Sequence, residues 1–316
     1  MSRWLVAFLF LLGATSAQAE FQPQRTVKIV VPYAAGGQTD VLARMLGDEL
    51  SKKWKIPVIV ENIVGASGQI GISNVAQSSP DAHTLLAVPP AFVVNAVTNP
   101  KAAGAVSDWE PITIIGSVPY LLIARPSLPV GSVSDLLNLA KGEGTTYASS
   151  GVGSSAHLAV LAIEMIGGVK FTHVPYRGMT PAITDVMNSH IDFMIADASS
   201  VYELAQDSKL KVLGKTEKSS DARLGSYPML SESGLPGYQS LSSWTALLAP
   251  PKTSRVIAQD ISDQALTVLA DPSMASRLRT MFISPGSLDA AGTRAFLARE
   301  SVFVAELAQK VGLPKQ

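Results

Sequence analysis

Apolar positions along the chain follow two rhythms. Short runs rich in β-branched residues, at 27–31, 58–60, 85–88 and 112–115, read as strands. Stretches with apolar residues three and four apart, at 41–53 and 70–77, read as helices. In 41–53, Leu42, Met45, Leu46 and Leu50 share one side. This order predicts an α/β fold of mostly parallel sheets flanked by helices. Around Pro119 the texture changes: a strand at 120–125 runs into the turn-rich segment 126–134. The alternation then restarts, with helices at 134–141, 155–166, 180–189 and 201–206 and strands at 145–149, 171–174, 191–196 and 210–213. Ser134 is the expected N-cap of the first of these helices, and Pro181 takes the favoured first position of the third. A second punctuated stretch, 227–239, holds Pro228, Gly234, Pro236 and Gly237. Beyond it lie a strand at 244–249 and helices at 256–270, 272–281 and 293–311. Two α/β halves follow, the first visited twice: domain I from 20–120 plus 245–316, domain II from 121–244.

The start of the chain has a different pattern. Arg3 precedes an apolar run at 4–12, and Ala17-Gln18-Ala19 is a small-x-small cleavage site. The run is far short of the roughly 20 apolar residues that span a bilayer. Residues 1–19 therefore read as a secretory signal peptide, with a mature chain from Glu20 in the periplasm. The sequence has no cysteine, which removes disulfides, thiolate nucleophiles, zinc–cysteine sites and a lipidated anchor. Loss of Arg3 leaves 24 basic against 25 acidic residues, so there is no electrostatic footprint for nucleic acid or an anionic membrane.

Ligands of open α/β sheets bind at the carboxyl ends of strands, against helix N-termini. The first such junction here runs from Pro32 and Tyr33 through Gly36, Gly37 and Gln38 to Thr39 and Asp40. Its two glycines let the backbone approach a ligand, and Thr39 or Asp40 can cap the following helix. The second, Gly65-Ala66-Ser67-Gly68, is equally rich in small residues. The third, from Ser149 to Ser155, sets four hydroxyls and two glycines between strand and helix, a cradle for an anionic oxygen. The fourth offers Tyr176, to pack a ligand's carbon skeleton and donate its hydroxyl, with Arg177 and Gly178. The fifth holds Asp197. Together they describe a cleft lined by donors, which suits an anion.

Catalytic constellations are missing from the sequence. There is no Gly-x-Ser-x-Gly elbow, and Gly214-Lys215-Thr216 has Lys209 where a phosphate loop needs glycine. The four histidines, at 83, 157, 173 and 190, have no metal-ligand spacing, and His157 reads as structural. Gly151-x-Gly153-x-x-Ala156 fits a dinucleotide fingerprint, but the next strand ends in Pro175-Tyr176-Arg177, with no acid for a ribose. No cofactor and no metal is expected.

Several segments resemble the substrate-binding proteins of tripartite tricarboxylate transporters, the Bug proteins. They are Lys28 to Asp40, Val60-Glu61-Asn62 with Gly65 to Gly71, Ser149-Ser150-Gly151, Val174 to Gly178 with Pro181-Ala182, Gly234 to Tyr238, and Leu247 to Pro250. The resemblance spans the mature chain in order. It implies a two-domain Venus-flytrap receptor, type II-like, that closes on one small carboxylate. Hinge motion falls to linkers near Pro119 and Ser240. The partners implied are a small organic acid and membrane transporter subunits, the receptor itself a free monomer. Gly36, Gly37 and Asp40 would belong to the first anchoring loop, Ser149, Ser154 and Ser155 to the serine loop, and Tyr176, Gly178 and Ala182 to the fourth. Asp197 matches a position facing the distal end of the ligand. Departures from the family pattern are Gln38, Val152, Asp81-Ala82-His83-Thr84 and a shortened 95–108. Two other roles stay open at this level: a periplasmic sensor on the same fold, and a dinucleotide-dependent enzyme.

Overall fold

The computed structural model describes residues 21–311 except 143, 220 and 239–241. The proposed signal peptide and the linker at Ser240 lie outside the described residues. In chain order the elements are β1 (Val27–Val31), α1 (Gln38–Trp54), β2 (Val58–Asn62), α2 (Gln69–Ala76), β3 (Thr84–Val88), α3 (Ala91–Thr98), β4 (Glu110–Val118) and β5 (Tyr120–Ala124). Then come α4 (Val133–Leu139), β6 (Thr146–Ser149), α5 (Ser155–Gly167), β7 (Thr172–Pro175), α6 (Met179–Met187), β8 (Phe193–Asp197), α7 (Ala198–Gln206) and β9 (Lys211–Lys215). The chain closes with β10 (Ser243–Ala249), α8 (Arg255–Leu269), α9 (Pro272–Thr280), β11 (Ser284–Pro285) and α10 (Ala290–Val311).

The strands form two sheets, ordered β11-β4-β10-β3-β1-β2 and β7-β6-β8-β5-β9. The α/β class holds, with mixed rather than mostly parallel sheets. β1 runs parallel to β2 and β3, while β10 is antiparallel to β3 and β4. In the second sheet β6 is parallel to β7 and β8, and β5 is antiparallel to β8 and β9. β5 and β10, which enter each sheet from the other half, run antiparallel to their neighbours, as does the short β11 beside β4. A strand that enters a sheet from the other half has no crossover helix to reverse it, so nothing forces it parallel.

Both sheets are covered on both faces, and strand alternation divides the apolar residues between two clusters. Val27, Ile29 and Val31 enter one cluster and Val30 the other; Leu121 and Ile123 enter one, Leu122 and Ala124 the other. Trp54, Trp109 and Trp244 are fully buried.

Local signals account for most element ends and for two corrections. The N-cap of α4 is Ser132, not Ser134: its hydroxyl accepts from the Asp135 amide at 3.1 Å. Asp135 in turn accepts from the Gly131 amide, which fixes the helix start two residues early. α6 begins at Met179, so Pro181 sits third, still within the first turn where no amide is needed. α3 was not anticipated; its Phe-Val-Val run is apolar on all sides and shows no helical period.

Only Pro119 separates β4 from β5, so the chain changes sheets within one residue. The return strand lies beside this crossing, with Ser243 of β10 opposite Val118 of β4. The Pro119 carbonyl accepts from the Ala198 amide at 3.0 Å, which ties the crossing to the end of β8.

Candidate functional site

The β1–α1 loop turns at Gly36, whose φ of +84° lies in the left-handed region that favours glycine. Gly37 is the N-cap of α1 and provides no side-chain cap, so neither Thr39 nor Asp40 caps the helix. Asp40 is buried and points back into the loop. It accepts from the Gly36 amide at 2.9 Å, from Arg44 through two nitrogens at 2.9 and 3.1 Å, and from Asn62 at 2.9 Å. Burial pushes its carboxyl up, but these hydrogen bonds outweigh that and hold it below the usual carboxylate range. Asn62 also donates to the Tyr33 carbonyl at 3.1 Å. Tyr33 lies under the second junction: a Cβ on Gly68 would meet its ring at 3.2 Å. The buried Tyr33 hydroxyl has no partner among the described residues, and burial raises its pKa to about 12. Ser67 stands exposed on that turn, in a left-handed conformation at φ 53°.

The β6–α5 loop is held from behind by two histidines. Ser149 is fully buried, and its hydroxyl lies 2.7 Å from His173 Nε2 and 3.0 Å from the Gly151 carbonyl. The same oxygen accepts from the Gly151 amide at 3.1 Å. His157 Nδ1 accepts from the Gly153 amide at 3.0 Å. The two rings, far apart in sequence, stack with centroids 4.2 Å apart, and Tyr147 stacks on His173 at 4.7 Å. Burial, then His173, lowers the His157 pKa to about 4, so it stays neutral. Ser154 caps α5, its hydroxyl accepting from the His157 amide.

The fourth junction differs from expectation in one respect. The Tyr176 hydroxyl donates to Asp185 Oδ2 at 2.5 Å, within its own half. Gly178 is the N-cap of α6 at φ 123°, with open space where a Cβ would stand. Ala182 is buried in the core, and Arg177 is exposed.

The two halves meet at a polar knot. Gln38 donates to the Ser243 carbonyl at 3.0 Å and accepts from the Ser243 hydroxyl at 3.0 Å. Tyr120, at the start of β5, is buried, with Ser155 and Ser243 near its hydroxyl. Ser243 also lies near Asp197, whose carboxyl is raised to about 6 by burial. A cavity of about 470 Å³ opens here, lined by Gly36 and Gln38 from one half and by Asp197, Ser199 and Ser200 from the other, with Thr280 to Ile283 alongside. A cavity of about 530 Å³ near Trp109, Arg255 and Arg294 belongs to the first half alone and touches none of the junction loops.

The structure thus brings Gly36 and Asp197 to one cavity, with Ser155 beside it through Tyr120. It places Asp40, Ser149 and Ser154 as the internal ties of their loops. Tyr120, Ser243, Arg44 and Asn62 were missed as site or anchor residues. The Asp40–Arg44 spacing of four was legible as a helical pair. Tyr120 carried one signal, a polar tip directly after the proline where the chain changes sheets.

Residues 42–313 match the family model described as the tripartite tricarboxylate transporter family receptor. A UPF0065 protein of Agrobacterium vitis is 30% identical over 292 residues, which cover 92% of this chain and 84% of that protein. Among solved structures, a TctC solute binding protein from Polaromonas with no ligand superposes with a TM-score of 0.82 at 27% identity, covering 91% of this chain and 99% of that one. R. palustris Rpa4515 with adipate superposes with a TM-score of 0.77 at 28% identity, covering 92% and 99%.

Proposed function

The chain belongs to the tripartite tricarboxylate transporter receptor family, and from that premise we propose that it captures a small mono-, di- or tricarboxylate between its two halves and delivers it to a tripartite tricarboxylate-type membrane transporter. The observation that carries this reading is the cavity shared by the two halves. Its lining sets Gly36, Gln38, Asp197, Ser199, Ser200 and Thr280 against an apolar side of Val41, Val118, Met281, Phe282 and Ile283, and no lysine, arginine or histidine lines it among the described residues. An anion in such a place is held by oriented amides, hydroxyls and water rather than by a salt bridge. The N-termini of α1 and α7 both begin beside it, and their first amides carry partial positive charge. The adipate bound by the R. palustris protein supports a carboxylate ligand.

In this reading the two domains divide at Pro119 and just before Ser243, rather than at 120/121 and 244/245, since Tyr120 begins a strand of the second sheet and Ser243 one of the first, and the crossing at Pro119 absorbs the closing motion. Gly36, Gly37 and Thr39 offer the first loop to the ligand, Ser67 the second, Ser155, Gly178 and Tyr176 the facing half. Asp40, Ser149, Ser154 and Ala182 shape those loops from behind. The protein acts as a receptor rather than a catalyst, in the periplasm, after cleavage behind Ala19. No helix among the described residues is long and apolar enough to cross a membrane.

A thermal-shift screen of ligand-free protein against C4 to C6 dicarboxylates, citrate, amino acids and aromatic acids tests the reading. A ligand at a hundred times its Kd stabilises by about 2.7 kcal/mol, a readily measured shift. If no organic acid raises the melting temperature, the carboxylate reading is wrong.

A further inference from the structure

The turn that closes α9 is strained where it meets the cavity. The Ile283 amide donates back to the Leu278 carbonyl and the Phe282 amide to the Arg279 carbonyl, each at 3.0 Å. This kind of helix ending puts one residue in the left-handed region, where glycine is the ordinary choice. Phe282 stands there instead, at φ 60°. A bulky side chain in that region is an outlier that persists only where its surroundings hold it. Those surroundings come from the other half. Arg223 lies over the Phe282 ring, its guanidinium carbon 3.5 Å from the centroid, and Tyr202 of α7 packs against the same ring at 4.9 Å. Arg223 Nη2 also donates to the Arg279 carbonyl at 2.6 Å, the acceptor that the strained turn already uses.

Arg223 is itself held from behind. It sits in the short helical turn Ala222–Leu224, which Asp221 caps by accepting from the Arg223 amide at 2.9 Å. The same carboxylate accepts from Arg223 Nε at 2.9 Å and from Nη2 at 2.5 Å. Lys215, at the end of β9, donates to the Leu224 carbonyl at 2.7 Å and fixes the turn to the second sheet. A planar fork bound edge-on to a carboxylate keeps its face for an aromatic ring, an arrangement lysine cannot imitate. On the other side, Ser284 pairs with Ser117 and Pro285 with Gly116 of β4, so Phe282 is joined to the first sheet just before the chain crosses at Pro119. Thr280, Met281, Phe282 and Ile283 wall the cavity between the halves, together with Ser199 and Ser200 of α7. The two covalent crossings thus have a noncovalent companion, and it carries one wall of the cavity. We propose that Arg223 is a positioning residue: it ties the second half to the turn after α9, holds Phe282 as an apolar wall of the cavity, and so favours the arrangement in which both halves enclose one ligand. The tie does not depend on what is bound; its effect on affinity rests on the cleft reading proposed above. Apparent affinity scales with the population of the competent arrangement, so Arg223 raises it for every ligand by the same factor.

Two measurements on the wild type, Arg223→Ala and Arg223→Lys test this. Small-angle scattering of the ligand-free proteins reads the tie. The radius of gyration is expected to rise in Arg223→Ala, and an unchanged radius overturns the proposal. Calorimetric titration with succinate, adipate and citrate, well below the melting temperature of each protein, reads the consequence. Each of these acids that binds the wild type is expected to bind Arg223→Ala about fivefold more weakly, by one common factor, the scale of a half-exposed cation–π contact and its hydrogen bond. Arg223→Lys, which keeps the charge but loses the flat face, is expected to fall between the two. A lower melting temperature with unchanged affinities makes Arg223 a structural residue only and overturns the proposal. Losses that differ from acid to acid overturn it as well, since they mean direct contact with the ligand. If none of the three acids, and no acid of the wider screen, binds the wild type, the carboxylate reading falls, and the scattering comparison still decides the tie.

Discussion

The loop after β1 is held by an ionised carboxylate, whereas the loop after β6 is held by neutral rings. In the first, Asp40 accepts from the Gly36 amide, Asn62 and both ends of the Arg44 fork. In the second, His157 accepts from the Gly153 amide and His173 bonds the Ser149 hydroxyl. The helices explain the difference. α1 has a wet face, and Arg44 stands on it with 46% of its side chain exposed, so the counter-ion of Asp40 keeps much of its hydration. α5 is buried from Ala156 through Glu164. An ion pair under its first turn would lose its water on both sides, at a cost of several kcal/mol per ion. A neutral imidazole gives the same acceptor without that cost. Both solutions tie amides of the loop itself, that of Gly36 in one and those of Gly151 and Gly153 in the other, to groups behind it, so each loop is held rigid from within its own half.

Removing Asp40 is the harshest way to break this comparison. Asp40→Ala leaves the Gly36 amide without its partner and Arg44 beside an empty pocket. Truncating one member of a buried pair costs about 3–5 kcal/mol, and the exposure of Arg44 places this case at the lower end, about 3 kcal/mol. Denaturant melts measure it. Arg44→Ala is expected to cost less, since Asn62 and Gly36 still satisfy the carboxylate. Equal costs for the two would mean that the ion pair, and not the loop tether, is what Asp40 provides.

Acid separates the halves by a different route. His157 takes up a proton near 6.5 when unfolded and only near 4 when folded. Stability is therefore lost as pH falls across that window and levels off below it. With solvent access to the ring allowed for, the loss is on the order of 2 kcal/mol. Asp40 stays ionised throughout, because its carboxyl lies below the usual range. The other groups around the ring are Tyr147 and His173, stacked on it, with Glu164, whose charge raises the His173 pKa against the dominant effect of burial, which lowers it. Elsewhere, Asp197 and Glu300 have carboxyls raised by burial, to about 6 and about 7. These run the opposite way, since the folded form binds their protons first. The expected result is a difference between proteins: His157→Asn keeps an acceptor for Gly153 and loses much of the decline between pH 6.5 and 4. Parallel stability curves for the two proteins would contradict the neutral-ring account.

Much of this was legible in the sequence, and the legible part has a common cause. Strands and helices with a clear period, such as Val27–Val31 and the helix through Leu42, Met45, Leu46 and Leu50, were found because burial on one face leaves a pattern in one dimension. Gly36 and Asp197, which line the shared cavity, stand out in the sequence because strand ends of open sheets collect ligand groups. The polar knot was not found. Gln38, Tyr120 and Ser243 lie far apart in the chain and meet only because β4 and β10 cross between the halves side by side. His157 and His173 read as scattered because spacing tests look for ligands on one element, while β7 and α5 bring these two together in space. Asp40 was read as a ligand contact because its position matched; its orientation, inward toward Arg44 and Asn62, is a matter of rotamer and leaves no mark on the sequence.

Tyr176 gives the finest test, because ring and hydroxyl have separable roles. The ring packs partly buried against the core, and in the proposed reading its open side meets the ligand's carbon skeleton. The hydroxyl donates to Asp185 at 2.5 Å, and burial followed by that carboxylate raises its pKa to about 12. His190 lies 3.2 Å from the other oxygen of Asp185, so the tie belongs to a small network within the second half. Tyr176→Phe keeps the ring and deletes the tie. Asp185 is reachable by water, which replaces the lost donor, so the melting temperature is expected to move by less than about 2 °C. Ligand affinity is expected to stay within about twofold, because the deleted hydroxyl was already committed to Asp185. Tyr176→Ala removes the packing surface too and is expected to weaken binding by tenfold or more, the scale of a lost apolar contact on a closed ligand. If Tyr176→Phe instead loses as much affinity as Tyr176→Ala, the hydroxyl leaves Asp185 when the cleft closes and bonds the ligand. The fourth junction would then resemble neither of the other two loops, being a donor that is released on binding rather than one held ready beforehand.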